Sequence, residues 1–161
     1  MTKLETLARA VSVELSSRNL NLAIAESCTG GLLGHSLTDV PGASQFFLGG
    51  VTCYSNAAKV QLLSVQTETL RCFGAVSLLC AEEMLLGVQA LFGSDAAISI
   101  TGIAGPDGGS PKKPVGTVFI AVSLYEHKQI RAFLFAGERA TVKCQAASAA
   151  LELLLILLTQ K

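Results

Sequence analysis

The sequence predicts an α/β protein, a single-domain three-layer sandwich with a mixed sheet and helices on both faces. Three observations carry this. Short apolar runs alternate with segments of helical periodicity along the chain. Two strand-like runs, Val115 to Leu124 and Gln129 to Phe135, follow each other across the polar Tyr125-Glu126-His127-Lys128 and read as an antiparallel hairpin, which makes the sheet mixed. Polar and glycine residues gather where strand patterns stop, at 25–31, 54–59 and 101–109, the place where α/β folds hold ligands. Three such corners imply one composite site.

Thr2 and Glu5 form a capping-box signature, and Leu4, Leu7, Ala8, Val11 and Leu15 recur at helical spacing, so the chain opens with an amphipathic helix ending near Arg18-Asn19. A strand over Leu22 to Ala25 and a helix from about Thr29 to Leu37 follow. Asp39-Val40-Pro41-Gly42 marks a turn, and Phe46 to Tyr54 reads as a second strand whose Gly49-Gly50 pair implies a bulge or a close backbone approach. Asn56 is the expected N-cap of a short helix through Leu63, with a further helical turn over Thr67 to Cys72 before the loop at Gly74. Ser77 caps a helix carrying Leu79, Met84, Leu85, Val88 and Leu91 that stops at Gly93, and Ala96 to Thr101 is the third strand. After the hairpin, which Gly137 ends, Val142, Ala146, Ala149, Leu153 and Leu157 support a final helix from about Thr141 to Leu158. No repeat, low-complexity tract or linker interrupts the pattern, so residues 1–161 read as one domain.

Half of the residues are hydrophobic and 15% are charged. A domain of this length buries roughly 70% of its unfolded surface, and the remaining apolar excess points to a homo-oligomer, a dimer or larger. Lys plus Arg and Asp plus Glu balance at 12 each, which leaves no cationic field for nucleic acid or an anionic membrane, so neither is expected as a partner. The five cysteines, Cys28, Cys53, Cys72, Cys80 and Cys144, are odd in number, nowhere spaced C-x-x-C and set in apolar surroundings, as expected of reduced thiols in a cytoplasmic protein. No signal-like segment opens the chain, and the apolar run Leu151 to Leu158 is broken by Glu152 and falls short of the ~20 residues that span a bilayer.

An amide or ester hydrolase working without a metal needs a nucleophile, a proton acceptor and donors for the developing oxyanion. Ser27, at a strand-to-helix corner, is the candidate nucleophile, with the N–H groups of the Thr29-Gly30-Gly31 turn as oxyanion donors. Only His35 and His127 exist, and His127 falls in the hairpin turn, so a Ser-His-Asp triad is hard to assemble and a lysine base is the economical substitute. Lys59 is that candidate, because desolvation disfavours an ammonium, and Tyr54 would relay the proton or orient the lysine. Cys28, a thiol at a helix N-terminus, is the rival nucleophile. Strand alternation sends Glu26 to the opposite face from Ser27, which leaves it two readings, a structural carboxylate bonded to backbone or a catalytic one. The four glycines of 101–109 let that loop approach a ligand and let its N–H groups cradle a phosphate, and Arg139 is placed to pair with one. The histidines form no ligand pair, so neither metal nor cofactor is expected.

Taken together, Ala-Glu-Ser-Cys-Thr-Gly-Gly (25–31), Tyr-Ser-Asn-x-x-Lys (54–59), Gly-Ala-Val-Ser (74–77), Thr-Gly-Ile-Ala-Gly-Pro-Asp-Gly-Gly (101–109) and Pro-Val-Gly-Thr-Val (114–118) strongly resemble the CinA C-terminal domain family over nearly the whole chain. The resemblance implies a nicotinamide-nucleotide amidohydrolase, which converts nicotinamide mononucleotide and water to nicotinic acid mononucleotide and ammonia in NAD recycling. Carried onto this sequence, Ser27 is the nucleophile and Tyr54 and Lys59 its activating partners. Cys28, Thr29, Gly30, Gly31, Ser55, Asn56, Thr101, Gly102, Ala104, Gly105, Gly108, Gly109 and Arg139 are the implied substrate contacts. The sequence reads Gly137-Glu138-Arg139 with Lys143 following, where members commonly show Gly-Asp-Arg and a second arginine one turn later, so bidentate phosphate geometry is lost at Lys143. The chain resembles the stand-alone deamidase form, without the amino-terminal domain of full-length members. The alternative reading is a catalytically silent nucleotide-binding or regulatory module; a role as a partner in competence or recombination finds no basic patch to support it.

Overall fold

Thr2 starts the first helix as its spacing predicts: its hydroxyl accepts the Glu5 N–H at 3.2 Å while the Glu5 carboxylate accepts the Thr2 N–H at 2.9 Å, the reciprocal capping box. The computed structural model describes residues 1–160. Helix α1 (Lys3–Ser17) leads into strand β1 (Leu22–Glu26), whose residues are all buried. Such continuous burial belongs to a central strand, and β1 pairs in parallel with β2 (Phe47–Thr52) on one side and β3 (Ala96–Gly102) on the other. The hairpin of β4 (Thr117–Leu124) and β5 (His127–Leu134) adds antiparallel to β3, giving a five-stranded mixed sheet of order β2-β1-β3-β4-β5.

The helices cover both faces, as expected. Helices α1, α2 (Leu32–Thr38) and α6 (Arg139–Thr159) pack on one face, and α3 (Asn56–Leu63), α4 (Thr67–Phe73) and α5 (Leu78–Phe92) on the other. Strand alternation sorts the side chains by size. Leu22, Ile24, Ile98, Ile100, Ile120 and Val122 share one core with Ala146, Ala147 and Ala150 of α6, whereas Ala23, Ala25, Ala97 and Ala121 meet the bulkier Met84, Leu85 and Val88 of α5. Helix α6 is long and apolar enough to cross a membrane by length and composition, and eleven of its residues are buried in this core.

Several element boundaries differ from the sequence expectations: β2 is Phe47–Thr52 rather than 46–54, β4 begins at Thr117 rather than Val115, and β5 is His127–Leu134 rather than 129–135, so the hairpin turn is Tyr125-Glu126 alone. Helix α2 begins at Leu32 rather than Thr29, because Gly30 and Gly31 take left-handed φ values of 60° and 95° and continue the turn. Ser55 rather than Asn56 caps α3, its hydroxyl accepting the Ala58 N–H at 3.1 Å. Helix α6 starts at Arg139, two residues before Thr141. The Gly49-Gly50 pair does mark a close approach: a Cβ on Gly50 would lie 2.5 Å from Ile24 Cγ1, and one on Gly49 would lie 2.7 Å from the Phe92 ring.

Gly87, inside α5, sits where a Cβ would lie 2.0 Å from the Leu63 carbonyl oxygen of α3. Helix propensity alone would have Gly87→Ala stabilise by ~1 kcal/mol. The collision reverses the sign, and the substitution is expected to cost about 1–3 kcal/mol, read as a lowered midpoint in urea unfolding.

Candidate active site

Ser27 follows β1 directly and stays in register with the neighbouring strand, its N–H donating to the Ile100 carbonyl at 3.0 Å. The chain then turns sharply, with the Gly30 N–H donating to the Ser27 carbonyl at 3.1 Å. Glu26 points away from Ser27, as alternation requires. Its carboxylate is 2% exposed and accepts the N–H groups of Gly31 (3.1 Å), Leu33 (3.1 Å) and Gly34 (2.9 Å), so it is a structural carboxylate at the start of α2. Hydrogen bonds to an ionised group contribute about 1.5–3 kcal/mol each, enough to make this cap a principal tie of the corner. The N–H groups of Gly30 and Gly31 are therefore occupied and are not the expected oxyanion donors; those of Cys28 and Thr29 have no backbone acceptor among the described residues.

The second segment supplies the amine. Cys53, past the end of β2, donates its N–H to the Glu26 carbonyl at 2.9 Å, and with Ser55 capping α3, Lys59 falls one turn into that helix and faces the sheet. Lys59 is 1% exposed. Its Nζ lies 2.9 Å from Ser27 Oγ, 2.9 Å from the Cys53 carbonyl oxygen and 3.3 Å from the Tyr54 carbonyl oxygen. No ion pair among the described residues includes it. An ammonium fills this geometry with three donated bonds; a neutral amine fills it with two, into the carbonyls, and turns its lone pair to the Ser27 hydroxyl. Tyr54 thus orients Lys59 through its carbonyl, while its ring is exposed and its hydroxyl accepts from Arg139 Nη2 at 3.0 Å. The expected hydroxyl relay from Tyr54 to Lys59 is not formed.

The third wall is the loop after β3. Ile103 donates to the Thr117 carbonyl and Gly116 donates to the Ile103 carbonyl, both at 2.8 Å, which folds the loop onto the Pro114–Val118 segment. The glycines serve this contact: a Cβ on Gly102 would meet Val118 Cγ2 at 2.7 Å, and one on Gly105 would meet Val115 Cγ1 at 2.5 Å. Gly108 has a left-handed φ of 90° and only the Ile103 side chain nearby, at 3.6 Å. Arg139, opening α6, ties the corners together by donating from Nη1 to the Gly105 carbonyl at 2.6 Å as well as to Tyr54.

These segments enclose a cavity of about 260 Å³. Ser27, Cys28, Tyr54, Lys59 and Arg139 line it, as do Thr101, Gly102, Ala104, Gly105 and Gly108. Thr29, Gly30, Gly31, Ser55, Asn56 and Gly109 lie outside its wall; Ser55 caps a helix, and Gly109 packs against the backbone of Val115. Asp107, Ala75 and Val76 line the cavity without having been singled out. Asp107 is the one carboxylate in the wall, and the Gly74–Ser77 motif was the available signal for the other two. A larger cavity, about 720 Å³, shares Arg139 with it and is lined also by Pro106 and Lys143.

The rival groups are placed less well for chemistry. Burial pushes the Cys28 thiol up to about 11, with the Glu26 charge adding to the rise while its own backbone N–H and the Lys59 and Arg139 charges oppose it. A thiol that holds its proton at neutral pH is a poor nucleophile. His35 pairs with Asp39 at 3.4 Å on an exposed helix face, His127 opens β5, and neither lines the cavity.

Residues 4–158 match the CinA C-terminal domain family. The chain is 48% identical over 150 residues to a putative competence-damage inducible protein of Moorella thermoacetica, an alignment covering 93% of this chain and 36% of that protein. It is 47% identical over 148 residues to a CinA-like protein of Thermotoga maritima, covering 92% of this chain and 36% of the relative, so it spans about a third of the length of these curated relatives. Among solved structures, the competence/damage inducible protein of Agrobacterium tumefaciens superposes with a TM-score of 0.95 at 37% identity, covering 99% of this chain and 98% of that one.

Iodoacetamide at pH 7.5 should modify the exposed Cys72 and Cys144 and spare Cys28, with Cys28 labelling rising only as pH climbs towards 11; peptide mass spectrometry after brief exposure reads this.

Proposed function

The chain belongs to the CinA C-terminal domain family, and from that premise we propose that it is a nicotinamide-nucleotide amidohydrolase acting on nicotinamide mononucleotide. The observation that carries the reading is the buried Lys59 Nζ at 2.9 Å from Ser27 Oγ, in the wall of a cavity that both residues line. A serine paired to a lysine amine is the arrangement of an acyl-transfer nucleophile whose base is not histidine.

In this reading Ser27 Oγ attacks the carboxamide carbon and its proton passes to the Lys59 amine. The tetrahedral intermediate places its oxyanion beside the Ser27–Cys28 corner, whose Cys28 N–H has no backbone acceptor. Collapse breaks the C–N bond, and the Lys59 proton leaves with the departing amine as ammonia. Water then attacks the acyl-enzyme, giving its proton to Lys59, and the nicotinate ester opens to free the acid and Ser27. The Cys53 and Tyr54 carbonyls keep the amine on the serine throughout. Arg139, with Lys143 in the larger cavity, supplies cations for the single phosphate. The exposed Leu62, Leu86 and Leu91, which line one groove between α3 and α5, support a homo-oligomer as part of the same proposal; sedimentation as a monomer at micromolar concentration would remove that part.

Ammonia release from nicotinamide mononucleotide, measured with chelator present, should fall ~10³-fold or more in Ser27→Ala and Lys59→Ala. Tyr54→Phe, which leaves the carbonyl contact to Lys59 intact, should lose about tenfold or less in kcat. A wild-type protein that binds the nucleotide without releasing ammonia would overturn the reading in favour of a silent binding module.

A further inference from the structure

The carboxylate of Glu26 is the one buried acid bound to the corner that carries Ser27, and the reaction above makes no use of it. It cannot act on substrate, because it faces the start of α2 and is absent from the wall of the cavity that Ser27 lines. What it holds is the far end of the turn. Ser27 is fixed at the near end by its N–H on the Ile100 carbonyl, and the turn closes from the Gly30 N–H to the Ser27 carbonyl. The far end consists of Gly31, in a left-handed conformation, and the first residues of α2, whose N–H groups have no helical acceptor of their own. Two oxygens of one carboxylate gather three of these groups: Oε2 takes Gly31 and Leu33, and Oε1 takes Gly34. The same residue's backbone carbonyl accepts the Cys53 N–H at 2.9 Å, next to the carbonyl that accepts from Lys59.

We propose that Glu26 is a positioning residue: its carboxylate is an internal anion seated on the N–H groups of Gly31, Leu33 and Gly34, and it sets the Ser27–Cys28 corner so that nucleophile and oxyanion donor are aligned before substrate arrives. The proposal rests on Ser27 being the nucleophile of an acyl-transfer enzyme. A second cavity, about 220 Å³ and on the opposite side of this corner, reaches Glu26 between Gly31, Gly34 and Thr52, so a small anion has a route to the seat once the carboxylate is removed.

The test compares wild type, Glu26→Gln and Glu26→Ala by three measurements: kcat and KM for ammonia release from nicotinamide mononucleotide, the rate of Ser27 labelling by a fluorophosphonate, and thermal unfolding. In labelling, a Ser27 O–P bond forms, the P–F bond breaks, and fluoride and the hydroxyl proton leave, so the readout is independent of the amide substrate. Folded Glu26→Gln should label about 10- to 100-fold more slowly and lose kcat by a similar factor while KM stays within about threefold, the signature of a displaced catalytic geometry. Sodium formate, but not sodium chloride, should restore labelling of Glu26→Ala with saturation. Wild-type labelling rates in folded Glu26→Gln overturn the proposal, as does a loss in folded Glu26→Ala that formate fails to restore. Should Glu26→Ala not fold, Glu26→Gln decides. If the wild-type protein labels at Ser27 yet releases no ammonia, the substrate assignment fails while the labelling series still decides the role of Glu26.

Discussion

A lysine that is 1% exposed has to find acceptors for its amino group inside the protein, and where Lys59 finds them determines the rest of the site. Two are backbone carbonyls of the segment leaving β2, Cys53 and Tyr54, and the third is the Ser27 hydroxyl at the end of β1. Backbone carbonyls cannot rotate away as side chains do, so the nitrogen is held by the geometry of the sheet itself. The parallel pairing of β1 with β2, continued one step by the Cys53 N–H on the Glu26 carbonyl, brings the two strand ends level. Ser27 and Lys59 are therefore neighbours because two strands are in register.

The same strand end keeps the acid of Glu26 apart from the amine of Lys59. Residue 26 turns its carboxylate to α2 and residue 27 turns its hydroxyl to the cavity, a consequence of the period of two along a strand. The carboxylate lies on a set of N–H donors that favour negative charge, and the amine lies on carbonyls that favour an N–H donor. Neither needs the other as an ion-pair partner. Lys59 can thus remain in contact with Ser27 alone among side chains, which a nearby carboxylate would prevent.

Much of this was legible in the sequence. The capping box at Thr2, the Ser77 cap, the hairpin and the alternation of strands and helices are local signals, and local signals fix element type. The meeting of the 25–31, 54–59 and 101–109 clusters was legible too, because all three follow strand ends. Hydrogen-bond ownership was not. Which N–H groups of the Ser27 corner are already occupied depends on where a carboxylate rotates, and spacing does not encode that. Tyr54 shows the same limit: its residue type suggested hydroxyl chemistry, while its carbonyl holds the lysine. Loop glycines are ambiguous for a further reason. Gly102, Gly105 and Gly109 look like room for a ligand, and the space belongs to Val115 and Val118.

Arg139 spans the cavity from the Tyr54 hydroxyl to the Gly105 carbonyl, so the protein meets its ligand with this guanidinium already engaged. Any anion that claims both Nη atoms has to displace both contacts, and the affinity measured is then the intrinsic affinity multiplied by the fraction of molecules in which the bridge is open. The bridge is made of neutral acceptors, against which a doubly charged phosphate competes strongly and an uncharged riboside scarcely at all. Under the proposed function, discrimination at this position comes from the resting state as much as from the bound one: a ligand without the charge to break the bridge leaves the protein's own internal contacts in place.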